Sequence, residues 1–244
     1  MIDAASDGEQ LDLLWVYLQQ EPLFWLTATL AAYAIGHGLQ RVSGGTPLVN
    51  SVVIAILLLV CLLTLTGTSY ATYFDGAQFV HFLLGPATVL LAVPLYRNRH
   101  RIRRLLIPMA IALFAGSITA ILSAVVVAQL LGASHETLLS LAPKSATTPI
   151  AMGIAEEIGG LPSLTATLVI ATGIIGAIVV APLLAWLKVT DWAAWGFAAG
   201  VASHGLGAAR AFQVNQIAGA FAGIGMGLNA LLTAVLVPLL ATWV

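Results

Sequence analysis

An all-α integral membrane protein, a polytopic bundle of seven or eight spans with discontinuous helices, is the fold this sequence predicts. Three observations carry it. Only 8% of the 244 residues are charged, against about 25% in a soluble domain, and the mean hydropathy is +1.00. The apolar runs are long and unbroken, which suits helices and not the alternating ten-residue strands of a membrane barrel. The third is a polar island at residues 143–160, Pro-Lys-Ser-Ala-Thr-Thr-Pro-Ile-Ala-Met-Gly-Ile-Ala-Glu-Glu-Ile-Gly-Gly. Thr148-Pro149 predicts a helix start, because Thr caps well and Pro at the first helical position gives up no needed N–H. Gly159-Gly160 predicts the stop. About ten residues rise roughly 15 Å, half of a hydrocarbon core of about 30 Å. Such a half-helix aims free N–H groups and a positive dipole end at whatever sits at its start. Many secondary transporters build anion sites this way.

The remaining elements follow in order. Asp3, Asp7, Glu9 and Asp12, with no Lys or Arg nearby, are the opposite of a signal n-region, so no cleavable signal peptide is predicted. Leu11, Leu14, Trp15 and Leu18 predict an interfacial helix over 9–20, with Trp15 and Tyr17 at headgroup level. Pro22 opens a span over 22–40, in which His37 reads as a packed or interface residue. Thr46-Pro47 is a second Thr-Pro start, and its span runs to about Leu65. Asn50, in its first turn, either bonds backbone or touches a substrate; the two readings stand equal. Residues 66–77 read as a polar loop. A span over 78–96 is interrupted at Gly85-Pro86, with Thr88 just after the break. Residues 97–104 hold five of the nine basic residues. The positive-inside rule makes this loop cytoplasmic and a determinant of topology. A span over 105–131 leads to a loop, 132–142, with His135 and Glu136. After the central stretch come 161–187, 192–213 and 216–243. Lys188, Asp191, Trp192 and Trp195 mark an interface, and Gly173, Gly176, Gly223, Gly225 and Gly227 permit close helix contact.

Arg41 and the Arg97–Arg104 loop then share a side, with two spans between them. Thr46-Pro47 starts a helix from the cytoplasm and Thr148-Pro149 one from outside. The opposed starts suggest an inverted repeat: 1–104, with the interfacial helix, and 105–244, with the main site motifs. Whether 144–160 crosses or turns back is open.

Arg210 and Lys144 are the basic residues placed within apolar segments, where a cation is costly and normally faces a bundle interior or cavity. If 202–213 is one helix, Ser203, Gly207 and Arg210 share a face, with His204 one position round. The His-Gly-Leu-Gly run also permits a break. Arg210 is either a ligand or a partner of Glu156 or Glu157. These two lie at the unfavourable end of the half-helix dipole, as candidate binders of H⁺ or Na⁺ or as plain interface carboxylates. Cys61 stands alone, so no disulfide or Cys-based metal site is possible within one chain. The net charge of −1 argues against nucleic acid, and no hydrolase motif occurs. No cofactor, metal or catalytic residue is expected.

Pro143-Lys-Ser-Ala-Thr-Thr-Pro-Ile-Ala-Met, Glu157-Ile-Gly-Gly-Leu-Pro-Ser-Leu-Thr-Ala166, Ala202-Ser-His-Gly-Leu-Gly-Ala-Ala-Arg-Ala and Gly85-Pro-Ala-Thr-Val resemble the LrgB/CidB family, in the right order and from about residue 30 onward. Ala146 and Ala208 depart from the Val or Thr expected there. The family is described as antiholin-like or holin-like, in murein hydrolase export and lysis, and includes a plastidic glycolate/glycerate translocator and systems linked to pyruvate uptake. The missing fused N-terminal domain implies a bacterial member, hence a multi-pass protein of the cytoplasmic (inner) membrane, with a small LrgA/CidA-type partner and a homo-oligomer, a dimer by preference. The expectation is a transporter of small monocarboxylates (pyruvate, glycolate, glycerate, lactate), coupled to H⁺ or Na⁺. Arg210 and Lys144 would attract the carboxylate. Ser145, Thr147, Thr148, Pro149, Ser203, His204, Gly205, Asn50 and Thr88 would line the site, with His204, Glu156 or Glu157 carrying the coupling ion. The alternative is a holin- or antiholin-like lysis regulator.

Overall fold

The computed structural model describes residues 21–44, 46, 49–83, 86 and 96–242. The expected surface helix at 9–20, Pro47, Gly85 and Thr88 lie outside them. The described residues are helical, with no strand. The chain forms two compact units, Met1–Val89 and Leu90–Val244.

In the first unit α1 is Pro22–Val42, α2 Ser51–Thr66 and α3 Tyr70–Phe82. Pro22 opens α1 as expected. The second helix starts at Ser51 rather than at Pro47, because Asn50 is its cap: its Oδ1 accepts the N–H of Val52 at 2.9 Å and of Val53 at 3.4 Å. Gly67, at φ 65°, ends α2. The stretch expected to be a loop, 66–77, is mostly α3. Ser69 caps it by accepting the Thr72 N–H at 3.1 Å, and its aromatic residues stack along one side, Tyr70 on Phe74 at 5.8 Å. Trp25 is fully buried between α1 and α3, edge-on to Tyr73 at 5.8 Å. The His37 ring stacks on Tyr33 at 6.3 Å, a packing role.

In the second unit α4 is Arg99–Leu130, α5 His135–Leu141, α6 Thr148–Ile158, α7 Pro162–Trp186, α8 Trp192–Val214 and α9 Gln216–Ala241. Arg99–Arg104 are the first turns of α4, not a loop; Arg is a good helix former. The expected loop 132–142 contains the short α5, capped by Ser134. Three helices among the described residues, α4, α7 and α9, are long and apolar enough to cross a membrane. α4 and α9 run parallel: Met109 and Leu113 share a core with Phe221 and Ile224, and Ile121 and Val125 share one with Val237. α7 runs against both, since Val180 and Leu184, near its end, pack with Ala218 at the start of α9.

The segment 192–213 is not a span. His204, at φ 41° and ψ −131°, breaks α8 into a leg over 192–203 and a return leg over 205–214. A Cβ on Gly207 would fall against the carbonyl of Ala199. Those residues would be about 12 Å apart in a continuous helix, so the chain has turned back on itself. Ala208 and Ala211 accordingly rejoin Trp195 and Ala199 in one core. Length and hydropathy do not register direction, and the two legs together are as long as a span. The segment 144–160 also turns back. Leu161, just after α6, donates its N–H to Ser140 Oγ of α5 at 2.8 Å, and a Cβ on Gly160 would lie 2.9 Å from the Ser140 nitrogen. The second unit thus holds three long helices and two re-entrant hairpins that enter from opposite ends.

The rising leg of α8 lies along α9 at backbone distance. Cβ atoms added to Gly196 and Gly200 would meet the carbonyls of Ala218 and Ala222, and one on Gly225 would come 2.6 Å from that of Phe197. Outside the apolar core, Asp191 caps α8 by accepting the Ala194 N–H at 2.9 Å, and Arg101 donates to its other oxygen at 2.6 Å. The amide first, and Arg101 with it, hold the Asp191 carboxyl below the usual carboxylate range. Its stabilisation is therefore present at neutral pH and is lost as pH falls through that lowered value. The pair is largely exposed, so the loss is small.

Two outcomes follow. Gly225→Ala should cost about 1–3 kcal/mol, read as a lower thermal midpoint in detergent, because the Phe197 carbonyl cannot yield as a flexible side chain would. An unchanged midpoint would refute the backbone-level packing of α8 on α9. Asp191→Ala should lower the midpoint by the equivalent of about 1 kcal/mol at pH 7 and by less near pH 3; equal losses at both would refute the ionised cap.

Candidate functional site

The two hairpin tips meet beside the first half of α7. The α5–α6 tip is residues 142–147. α6 begins one residue earlier than expected, with Thr147 as its cap, Thr148 as first residue and Pro149 next. The Thr147 side chain makes no cap hydrogen bond. Gly159, at φ 87°, ends the helix. Ser145 is buried, and the half-buried Lys144 donates from Nζ to its Oγ at 3.4 Å. Asn229, mid-way along α9, holds this tip. Its Nδ2 donates to the Ser145 carbonyl at 3.0 Å, while Ser117 of α4 donates to its Oδ1 at 2.6 Å. Thr165 of α7 donates to the Ser140 carbonyl at 2.9 Å. The short hairpin is therefore fastened to α9 and α7 by buried hydrogen bonds, and Ser117 of α4 orients the Asn229 side chain that makes the first of them.

The α8 tip is Ser203-His204-Gly205. The His204 φ lies in the left-handed region, which a non-glycine residue adopts only where its surroundings over-determine it. One such constraint is visible: His204 Nε2 is 2.9 Å from the carbonyl oxygen of Val169. A carbonyl only accepts, so Nε2 carries the proton, and Nδ1 is left to accept, or to donate in the charged ring. The ring rests on Gly173, where a Cβ would come 2.5 Å from Cε1, and Ser203 rests on Gly176. Val169 also packs against Ala146 and Ala151 of the other hairpin. Ser203 is 1% exposed, and its Oγ has no hydrogen-bond partner among the described residues.

Of the expected residues, the structure sets Lys144 and Ser145 in one tip and Ser203 and His204 in the other, with Val169 touching both tips, Thr147, Thr148 and Pro149 opening one half-helix and Gly205 the other. Arg210 lies elsewhere than the continuous-helix reading puts it. The reversal at His204 removes the shared face, although Gly207 still touches Ser203. Arg210 is six residues along the return leg, roughly 9 Å from the tip, with its Nη1 donating to Gln213 at 3.2 Å. Glu156 and Glu157 are exposed at the far end of α6 and make no ion pair with a described residue. Asn50 belongs to the first unit, as the α2 cap. Ser117, Ser140, Thr165 and Asn229 escaped the sequence reading. Asn229 carried a usable signal, as a lone amide in the middle of an apolar helix.

Each tip carries one helix end and one helix start; the first tip adds an ammonium and the second a hydroxyl without a partner among the described residues, and the described tip residues include no carboxylate. Ser203 and His204, although adjacent, share no hydrogen bond, and His204 Nε2 is engaged by the Val169 carbonyl, so no nucleophile–base pair forms between them.

The LrgB-like family model matches residues 29–243, and the chain belongs to that family. Among relatives, the uncharacterized protein YxaC of Bacillus subtilis (strain 168) is 35% identical over 79% of this chain and 84% of its own. The holin-like protein CidB of Staphylococcus epidermidis is 31% identical over 92% and 96%. The antiholin-like protein LrgB of Bacillus cereus (strain B4264) is 31% identical over 89% and 95%. No solved structure matches.

Asn229→Asp tests the clamp. It keeps an acceptor for Ser117 but, when ionised, has no donor for the Ser145 carbonyl. It should destabilise the protein by about 1–3 kcal/mol and speed labelling of a cysteine placed at Ala146. Unchanged labelling would show that Asn229 does not hold the tip.

Proposed function

We propose that this membrane protein is a secondary transporter of small monocarboxylates of the pyruvate, glycolate, glycerate or lactate class. The observation that carries the reading is the pair of opposed re-entrant tips seated on one stripe of α7, one of them holding Ser203, whose buried hydroxyl lacks a partner among the described residues. The half-helix starts at Thr148 and Gly205 and the Lys144 ammonium would bind the carboxylate, with hydroxyls of Ser203, Ser145, Thr147 and Thr148 completing the shell. Arg210, on the return leg, would draw the anion toward the tip from the Arg-rich end. His204 is the coupling-proton candidate inside the site; Glu156 and Glu157 sit away from it. A long helix followed by a re-entrant hairpin occurs twice in Leu90–Val244, as α4 with α5–α6 and as α7 with α8, in opposite orientations. This order supports an inverted repeat on a smaller scale than 1–104 against 105–244, and alternating access by opening one hairpin at a time. On the same reading the protein sits in the bacterial inner membrane with the start of α4 in the cytoplasm, as a homodimer or with a small LrgA/CidA-type partner.

The names of the CidB and LrgB relatives favour a second reading, a holin- or antiholin-like regulator. A pore needs a continuous water path and no fitted anion site, so the two readings separate in proteoliposomes. Labelled pyruvate, glycolate, glycerate and lactate should accumulate competitively with a proton gradient, while trapped carboxyfluorescein stays inside. Ser203→Ala should lower affinity roughly tenfold, and Lys144→Gln should do at least as much. Dye release by the wild type, with no saturable uptake, would overturn the transporter reading in favour of the pore.

A further inference from the structure

We propose that a groove between α4 and the rising leg of α8 binds one anionic phospholipid, with an acyl chain in the groove and the phosphate at the Arg-rich start of α4. The site is separate from the hairpin junction, and the inference does not rest on the transport reading.

The groove has a volume of about 420 Å³ and is walled by Leu105, Ala112 and Ala120 of α4 and by Ala194, Ala198 and Ala202 of α8. Small residues on both walls leave a trough where larger ones would interdigitate. From Leu105 to Ala120 it follows roughly 22 Å of helix, somewhat more than one leaflet of a hydrocarbon core of about 30 Å. A single extended acyl chain matches that shape.

The mouth supplies the second requirement. Asp191 lines it and is engaged by Arg101 at 2.6 Å, one turn before Leu105. Arg99 stacks on Tyr96 at 4.6 Å. Arg97, Arg103 and Arg104 are exposed and have no ion-pair partner among the described residues. Five guanidinium groups thus cluster at the positive end of a helix dipole, where Asp191 pairs with Arg101 alone and the first turn holds no acidic residue. A soluble anion would answer the charge and leave the trough empty. A neutral lipid would fill the trough and leave the charge. An anionic phospholipid answers both.

The test uses the full chain, released from vesicles of equal phosphatidylglycerol and phosphatidylcholine into mild detergent, with bound lipid counted by native mass spectrometry. The wild type should retain one phosphatidylglycerol per chain, at least tenfold over phosphatidylcholine. Replacing Arg103→Gln and Arg104→Gln together should bring the two lipids to parity. Ala198→Phe, which fills the trough, should abolish retention of both. If that variant does not fold, Ala120→Leu on the opposite wall should lower retention likewise. No retained lipid, no preference in the wild type, retention untouched by filling the trough, or displacement by millimolar inorganic phosphate would each overturn the proposal.

Discussion

A chain that turns back inside an apolar bundle must find a partner for each backbone N–H and C=O it frees, because hydrocarbon offers none. That requirement shapes the second unit. At the α5–α6 tip it is met from outside the hairpin, by Asn229 on the Ser145 carbonyl, and at the base from within it, by Ser140 on the Leu161 amide. Asn229 is itself oriented by Ser117. A buried amide with one bond missing costs more than the bond is worth, so these groups stand or fall together. At the α8 tip the solution is different. The break is confined to one residue, and the legs close on each other at Gly207 so tightly that no side chain fits between them. The Ser203 hydroxyl, buried and without a partner among the described residues, then stands out.

The strain at His204 follows from the same economy. A residue in that region of φ and ψ costs about 1–3 kcal/mol. The bond to Val169 and the ring's seat on Gly173 offset it. A glycine at 204 would relieve the backbone and lose both. The helix therefore keeps a side chain with two ring nitrogens at its sharpest point, one committed to Val169 and the other not. In α7, Val169, Gly173 and Gly176 fall at i, i+4 and i+7, a single stripe. The stripe carries Ala146 and Ala151 at its first position and both tip residues of α8 at the other two.

Much of this was legible in the sequence, and the reasons for the rest are physical. The half-helix at 148–158 could be read because Thr, Pro and paired Gly act locally. The break near His204 could be read from the glycines after it. The reversal could not, since an apolar helix has the same 3.6-residue period whichever way it runs. Arg210 drew attention because a cation in an apolar run is conspicuous. On a continuous helix it would share a face with Ser203, and only the reversal separates them. The stretch 66–77 reads as a loop because Ser69, Thr72 and the neighbouring Tyr residues look like turn chemistry, although Ser69 uses that chemistry to start α3. Asn50 had two readings of equal standing, and the cap it forms accounts for its side-chain oxygen. The side chains of Ser117, Ser140 and Thr165 each make one bond across distant parts of the chain, and nothing in their local sequence marks them.

On the transport reading, the α7 stripe decides what can move. Both tips lean on it, one through Val169 and one through Val169, Gly173 and Gly176, so neither hairpin leaves without breaking contact with α7. The hairpins differ in how they are tied. The α5–α6 tip is held by side-chain hydrogen bonds to α9, and its base by a bond to α7. The α8 tip has the single His204 bond and otherwise rests on packing, with Asp191 and Asn215 capping helices at its two roots. Breaking packing against glycine exposes little surface, whereas breaking the Asn229 clamp strands polar groups in hydrocarbon. On that reading the α8 hairpin, packed at backbone distance along α9, would move only together with α9, and the α5–α6 hairpin would move only when the Asn229 clamp opens.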